Sequence, residues 1–255
     1  MVCSHLIKIT GIVQGVGFRP YIYNLAKKFS LNGWVLNDSN GVEIHIEGHK
    51  ESTSSFINQI KTSPPELSRI ESFSIKDDKN YNLTSFEIKE SLHACETQIF
   101  ISPDICTCEN CTTDILDPHN KRYFYPFTNC TNCGPRFSII KKVPYDRKVT
   151  TMSNFTQCKD CFKEYTTMSN RRFHAQPNCC PSCGPRIFIT DNSGNDITQE
   201  ILWEEKINSW EYNKKLINFF GKKIKEGSIF AIKSLSGFHL CCTPYSENTD
   251  RKSVV

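Results

Sequence analysis

Apolar and polar positions change rhythm several times along this chain. Residues 6–9, Leu6-Ile7-Lys8-Ile9, read as a short strand. Apolar residues then recur at Tyr21, Ile22, Leu25, Ala26 and Phe29, the spacing of one helix face. Pro20 suits the first turn of that helix, and Gly33 follows as its stop signal. Residues 34–37 and 42–46 read as two strands joined by a turn at Ser39-Asn40-Gly41. Residues 52–60 read as a second helix, ended before Pro64-Pro65. Residues 69–76 and 85–89 read as further strands. The order βαββαβ over residues 1–91 predicts an α+β sandwich. Far downstream, Asp191-Asn192-Ser193-Gly194-Asn195 is a polar turn. A helix is predicted over 203–226 through Ile207, Trp210, Leu216, Ile217, Phe220 and Ile224, stopping at Gly227. A strand of buried type follows at 229–233. One helix and one strand cannot bury themselves, so 191–255 reads as the start of a further domain or as a segment that packs on the middle of the chain.

That middle stretch contains four Cys-x-x-Cys pairs: Cys108/Cys111, Cys130/Cys133, Cys158/Cys161 and Cys180/Cys183. Eighteen residues separate the first pair from the second, and eighteen the third from the fourth. Asn120-Lys121-Arg122-Tyr123 recurs fifty residues later as Asn170-Arg171-Arg172-Phe173, and Cys133-Gly134-Pro135-Arg136 as Cys183-Gly184-Pro185-Arg186. A duplicated unit with its spacing kept is a module. Two such pairs make a tetrahedral four-thiolate site, the common form of structural zinc, so eight cysteines predict two closed Zn2+ sites over residues 105–190. Spacing alone leaves a single iron or disulfides open. It also leaves the pairing open, either one ion per repeat or a nested arrangement of outer and inner pairs. Metal removal is expected to unfold residues from about 105 to 186 and to spare the first domain. Cys106 and Cys179 read as spare thiols, Cys3, Cys95, Cys241 and Cys242 as buried small hydrophobes, and His174 as a surface histidine.

Composition narrows the setting. An apolar fraction of 38% over 255 residues is low for one large core and suits small domains held by metal. The net charge of +4 is too mild to suggest nucleic acid or a membrane surface. There is no run of 18 apolar residues, and the N-terminus makes a poor signal peptide. A reducing cytoplasm is therefore expected, where fourteen cysteines are thiolates and metal ligands rather than disulfides.

The first strand runs into Gly11-Ile12-Val13-Gln14-Gly15-Val16-Gly17-Phe18-Arg19-Pro20. Strand, glycine loop and helix N-terminus together form a phosphate cradle, because successive N–H groups and the helix dipole converge on one anion. The planar fork of Arg19 can hold two phosphate oxygens. This stretch, followed by Gly33-Trp34-Val35 and Asn37, resembles the acylphosphatase signature. The resemblance implies a ferredoxin-like fold. It also implies that Arg19 and the loop Gln14, Gly15, Val16, Gly17 and Phe18 bind the phosphoryl group while Asn37 orients the attacking water. Neutral Asn suits a water, which needs both a donor and an acceptor.

An acylphosphatase domain, two four-cysteine fingers and the tail Ala231-Ile232-Lys233 to Gly237-Phe238-His239-Leu240 together resemble the nickel–iron hydrogenase maturation carbamoyltransferases, the HypF family. On that resemblance the chain divides into 1–91, a linker 92–104, the fingers 105–190, and the incomplete beginning of an α/β YrdC-like domain, 191–255. The resemblance implies hydrolysis of carbamoyl phosphate, then ATP-dependent carbamoyl-adenylate formation and transfer to the C-terminal cysteine of a partner, HypE. Those later steps belong to domains of the full-length family, so ATP is expected only there. The tail departs from the family at Ser234 and Ser236, where glycines are favoured. A reading of different class is a zinc-stabilised binding module, or a generic acylphosphatase without carbamoyl transfer.

Overall fold

The computed structural model describes residues 2–38, 40–91, 101–202 and 208–245. The expectations for Ser39, for Cys95 with most of the 92–104 linker, and for the predicted helix start at Trp203 with Ile207 lie outside these residues. So does residue 246 onward. Residues 1–108 and 129–178 form one compact unit, and residues 109–128 and 179–255 a second.

The first unit is built on a five-stranded sheet in the order β4-β1-β3-β2-β5. Strand β1 is Val2–Ile12, β2 Asn32–Asn37, β3 Val42–His49, β4 Arg69–Asp77 and β5 Phe86–Ile88. Helices α1 (Phe18–Lys28) and α2 (Lys50–Thr62) connect them. Strand β1 lies antiparallel between β3 and β4, and β5 runs parallel to β2. This is the expected ferredoxin-like βαββαβ sandwich, with β5 as a fifth strand at the sheet edge beside β2. Alternation drives it: Ile7 and Ile9 point inward while Lys8 points out and pairs with Glu43, its register partner on β3, at 2.6 Å. The core unites Ile7, Ile9, Ile44 and Ile46 of the sheet with Phe18 and Ile22 of α1 and Phe56 and Ile60 of α2.

Gly33 does not stop α1. The helix ends at Lys28 with Phe29 as its C-cap, after which Ser30 turns left-handed (φ 53°) and the Leu31 N–H reaches back to the Ala26 carbonyl at 2.9 Å. Gly33 stands inside β2 at φ 141°, where a Cβ would come 2.0 Å from the His45 carbonyl oxygen. Its role is close approach of two strands. His45 itself is buried and bonded to Glu47 and Asp78, and Glu47 in turn accepts the Tyr81 and Leu83 N–H groups. These bonds tie the β4–β5 connection to the sheet.

Residues 129–178 of the same unit include helix α4 (Lys159–Thr166). Arg172 Nε donates to the Asn129 carbonyl at 3.0 Å and Thr131 N–H to the Arg171 carbonyl at 3.2 Å, so the second half of one repeat packs with the first half of the other. Tyr23 of α1 meets Phe173 edge-on at 5.6 Å.

The second unit repeats the device. It contains α3 (Glu109–Leu116), α5 (Thr198–Leu202), α6 (Ser209–Lys225) and a hairpin of β6 (Phe230–Lys233) and β7 (Phe238–Cys241). Arg122 Nε donates to the Cys179 carbonyl at 2.9 Å, the twin of the Arg172 bond. The polar turn at 191–195 closes through the Asp191 N–H to the Asn195 carbonyl at 2.9 Å. Strand β6 is not of buried type: Ile232, Phe238 and Leu240 of the hairpin are exposed, since among the described residues β6 pairs only with β7, although Phe230 at its start meets Phe220 of α6 edge-on at 4.9 Å. For the same reason Cys241 and Cys242 are half-buried rather than buried. Cys3, near the start of β1, is half-buried too.

Candidate functional site

The loop between β1 and α1 turns through Gly15 and Gly17, both at φ 74°, a conformation that a side chain would oppose. Gly17 caps α1, and the first intrahelical bond runs from the Tyr21 N–H to its carbonyl at 3.0 Å. The N–H groups of the first turn before it have no intrahelical partner and face an anion site by default. Gln14 also lines the concavity over this loop, and its side chain is engaged within the protein. Its Nε2 donates to the Asp38 and Gly41 carbonyls at 3.0 and 2.7 Å, and its Oε1 accepts the Tyr145 N–H at 3.0 Å. It fixes the loop against the β2–β3 turn, leaving the backbone to meet a ligand.

Arg19 and Asn37 come together. With the amide oriented so that its oxygen accepts, Asn37 lies 3.2 Å from Arg19 Nε and 3.3 Å from Nη2. Asn37 is buried and Arg19 nearly so. The guanidinium is also gripped from outside the βαββαβ domain. Arg19 Nη2 pairs with Asp146 Oδ1 at 2.8 Å and donates to the Tyr145 carbonyl at 3.1 Å, and Nη1 donates to Ser91 Oγ at 3.4 Å. Ser91 in turn donates to Asp146. A charged donor with several fixed acceptors holds one orientation.

Arg136 is a second arginine at the loop. It is buried, and its Nε donates to the Gly15 carbonyl at 2.5 Å. Nη1 donates to the Cys133 and Pro135 carbonyls at 2.7 and 3.2 Å, and Nη2 to that of Thr131 at 2.7 Å. The residue that follows Cys133-Gly134-Pro135 thus joins a cysteine turn to the β1–α1 loop. Its twin Arg186 is exposed and lies over the Tyr212 ring at 5.8 Å.

The concavity over the loop is lined by Gly15, Gly17, Arg19 and Asn37 and also by Thr131, Tyr145, His174 and Gln176. Sequence reasoning missed the last four. For His174 and Gln176 a signal lies where the repeat breaks: the first copy reads Phe124-Tyr125-Pro126-Phe127 and the second His174-Ala175-Gln176-Pro177. His174 is therefore half-buried in the lining rather than a plain surface histidine. Its ring sits 5.0 Å from Tyr165 and 4.7 Å from Phe173, and burial, aided by the Arg19 charge, pushes its pKa down to about 4.

The eight predicted cysteines gather into two groups, Cys108, Cys111, Cys130 and Cys133, and Cys158, Cys161, Cys180 and Cys183. The grouping is one site per repeat. Within each group the sulfurs lie within 4.8 Å of one another, with separations of 3.7 Å for Cys108–Cys130, 3.8 Å for Cys130–Cys133 and 3.7 Å for Cys180–Cys183. A tetrahedron with zinc–sulfur bonds of about 2.3 Å has edges of about 3.8 Å, so the donor sets fit Zn2+. The Asn132 N–H points at Cys130 Sγ at 3.4 Å, the bond that supports a thiolate ligand. Cys106 is exposed, while Cys179 is buried against the Tyr125 hydroxyl at 3.5 Å; neither joins a group.

Residues 6–88 match the acylphosphatase family, and residues 107–140 and 158–190 match the HypF finger. A carbamoyltransferase HypF from Synechocystis sp. is 45% identical over 236 residues, 92% of this chain and 29% of the relative. An acylphosphatase from Pseudothermotoga lettingae is 41% identical over 85 residues, 32% of this chain and 92% of the relative. A crystal structure of full-length HypF in a phosphate- and nucleotide-bound form superimposes with a TM-score of 0.85 at 40% identity, over 98% of this chain and 30% of that one. The chain thus spans under a third of the length of the carbamoyltransferases it matches.

Proposed function

The chain belongs to the HypF carbamoyltransferase family, whose N-terminal portion it matches, and from that premise we propose that its first domain hydrolyses carbamoyl phosphate. The observation that carries the reading is the contact of Arg19 with Asn37 beside a glycine loop that opens a helix. In this reading the loop N–H groups and Arg19 take the phosphoryl oxygens. Because the Asn37 oxygen faces Arg19, its NH2 remains to hold a water. The water oxygen bonds to phosphorus, the bond from phosphorus to the acyl oxygen breaks, and the electron pair leaves with carbamate. Both protons of the water stay with phosphate. An acyl phosphate has a good leaving group, so positioning and charge suffice without a covalent intermediate.

Each four-cysteine group would hold a structural Zn2+, which supplies folding energy rather than chemistry. The division into residues 1–91, 105–190 and 191–255 is likewise proposed. For the longer family members we propose that carbamate passes to ATP-dependent adenylation and on to HypE, in the cytoplasm. Among the described residues no helix is long and apolar enough to cross a membrane.

The test is phosphate release from carbamoyl phosphate by wild type, Arg19→Ala and Asn37→Ala, with zinc content measured on each. Release that is lost in both variants at unchanged zinc content is expected. Undiminished release from Arg19→Ala would overturn the assignment.

A further inference from the structure

The acylphosphatase relative accounts for the loop, Arg19 and Asn37, yet the concavity around them is completed by residues 131–177, beyond that match. Among these, His174 has a position that the fold does not explain. It takes a left-handed backbone (φ 54°), and so does its twin Phe124 (φ 55°). The two turns are the same: the His174 N–H donates to the Tyr165 carbonyl at 3.0 Å, and the Phe124 N–H to that of Ile115 at 2.9 Å. A phenylalanine thus builds this turn in one repeat, and the turn itself does not call for histidine in the other. The imidazole is held between Tyr165 and Phe173, which fix its plane. Among the described residues neither ring nitrogen has a hydrogen-bond partner.

The chemistry of the remaining lining suggests what a ring nitrogen adds. The loop N–H groups and Arg19 are donors suited to the phosphate. The Tyr145 carbonyl is already engaged by Arg19, and the Asn37 oxygen faces the same guanidinium. An uncharged imidazole brings an acceptor lone pair to a lining that is otherwise rich in donors. Of the two simple acyl groups, carbamoyl carries N–H donors and acetyl a methyl. A site built to hydrogen-bond one discriminates against the other, because the unpaired polar group is left dry.

We propose that His174 is a specificity-determining residue, whose ring nitrogen accepts a hydrogen bond from the carbamoyl N–H and so selects carbamoyl phosphate over acetyl phosphate. The proposal rests on the acyl-phosphate reading of the Arg19 and Asn37 site. It places selectivity in the second repeat, fifty residues from the twin that kept phenylalanine.

The experiment uses a non-hydrolysable pair, carbamoylphosphonate and acetylphosphonate, titrated calorimetrically into the full chain. Wild type is expected to prefer the carbamoyl compound about tenfold. His174→Phe, the residue the first repeat tolerates in this turn, should collapse the ratio towards one. His174→Asn suits the left-handed backbone and keeps an acceptor, so it should restore part of the preference; it also serves if the phenylalanine disturbs packing. A wild-type ratio near one, or a ratio unchanged in His174→Phe, overturns the inference while leaving the hydrolase reading standing. Binding of neither compound by wild type removes the acyl-phosphate reading and the inference with it.

Discussion

Arg136→Ala tests whether the finger and the glycine loop are one device. The side chain is 2% exposed and donates to the Gly15, Cys133, Thr131 and Pro135 carbonyls at 2.5, 2.7, 2.7 and 3.2 Å. Each carbonyl left dry costs about 1–3 kcal/mol, and water entering the vacated space offsets part of the sum, which leaves about 3–5 kcal/mol. For a unit of this size that lowers the melting temperature by about 10 °C. The loss is directional. Gly15 has φ 74° and is held from one side by Arg136, so the N–H groups of the loop lose their aim along with the stability. Phosphate release should fall at least tenfold even well below the melting temperature. Arg136→Lys should fail too, since an ammonium cannot fork across several carbonyls. Arg186→Ala is the internal comparison: its guanidinium is exposed over Tyr212, and its loss should leave phosphate release at the wild-type rate. Differential scanning calorimetry and a phosphate-release assay read the two effects. Wild-type release from folded Arg136→Ala would refute the coupling.

Three further outcomes follow from the same geometry. Asp146→Asn removes the charge that pairs with Arg19 at 2.8 Å but keeps its shape; kcat for acyl phosphate should fall about tenfold with zinc content unchanged, and an unaltered kcat would show that Asn37 and Tyr145 position the guanidinium alone. Chelating the metal should cost phosphate release together with finger structure, not finger structure alone as the sequence suggested, because Arg136 stands three residues from Cys133 and grips Gly15; circular dichroism and the release assay, followed against zinc loss, would show whether the two part. His174 is held to a pKa of about 4 against an ordinary 6.5, so the unfolded chain binds the extra proton; its contribution is whole above about pH 6.5 and is lost as pH falls towards 4. Wild type minus His174→Phe, compared by urea midpoints across that window, should change by about 3 kcal/mol, the cysteines being common to both.

The sequence by itself determined a good deal. Alternation at Ile7, Lys8 and Ile9 and the helix face at Ile22, Leu25 and Ala26 state their own burial, because a period of two or of 3.6 admits one inward side. The glycine loop could be read because glycine takes φ 74° without the strain a side chain brings, and here it does so at two positions of one turn. The eight cysteines could be read because a four-thiolate site needs short, repeated spacing. Gly33 misled: a glycine after a helix signals a stop, yet here it answers to the His45 carbonyl on the neighbouring strand, a contact with no local trace. Only the tertiary structure decided the pairing of the cysteines, since both arrangements satisfy the same spacing. Only it showed that residues 129–178 pack with the first domain, that Asp146 holds Arg19 and Arg136 holds Gly15 of the glycine loop, and that His174 looks into the concavity while Phe124 does not line it. These contacts join residues more than a hundred positions apart or distinguish two copies of one motif. Local pattern reports what a residue needs from its neighbours in the chain; it is silent on which distant surface meets it.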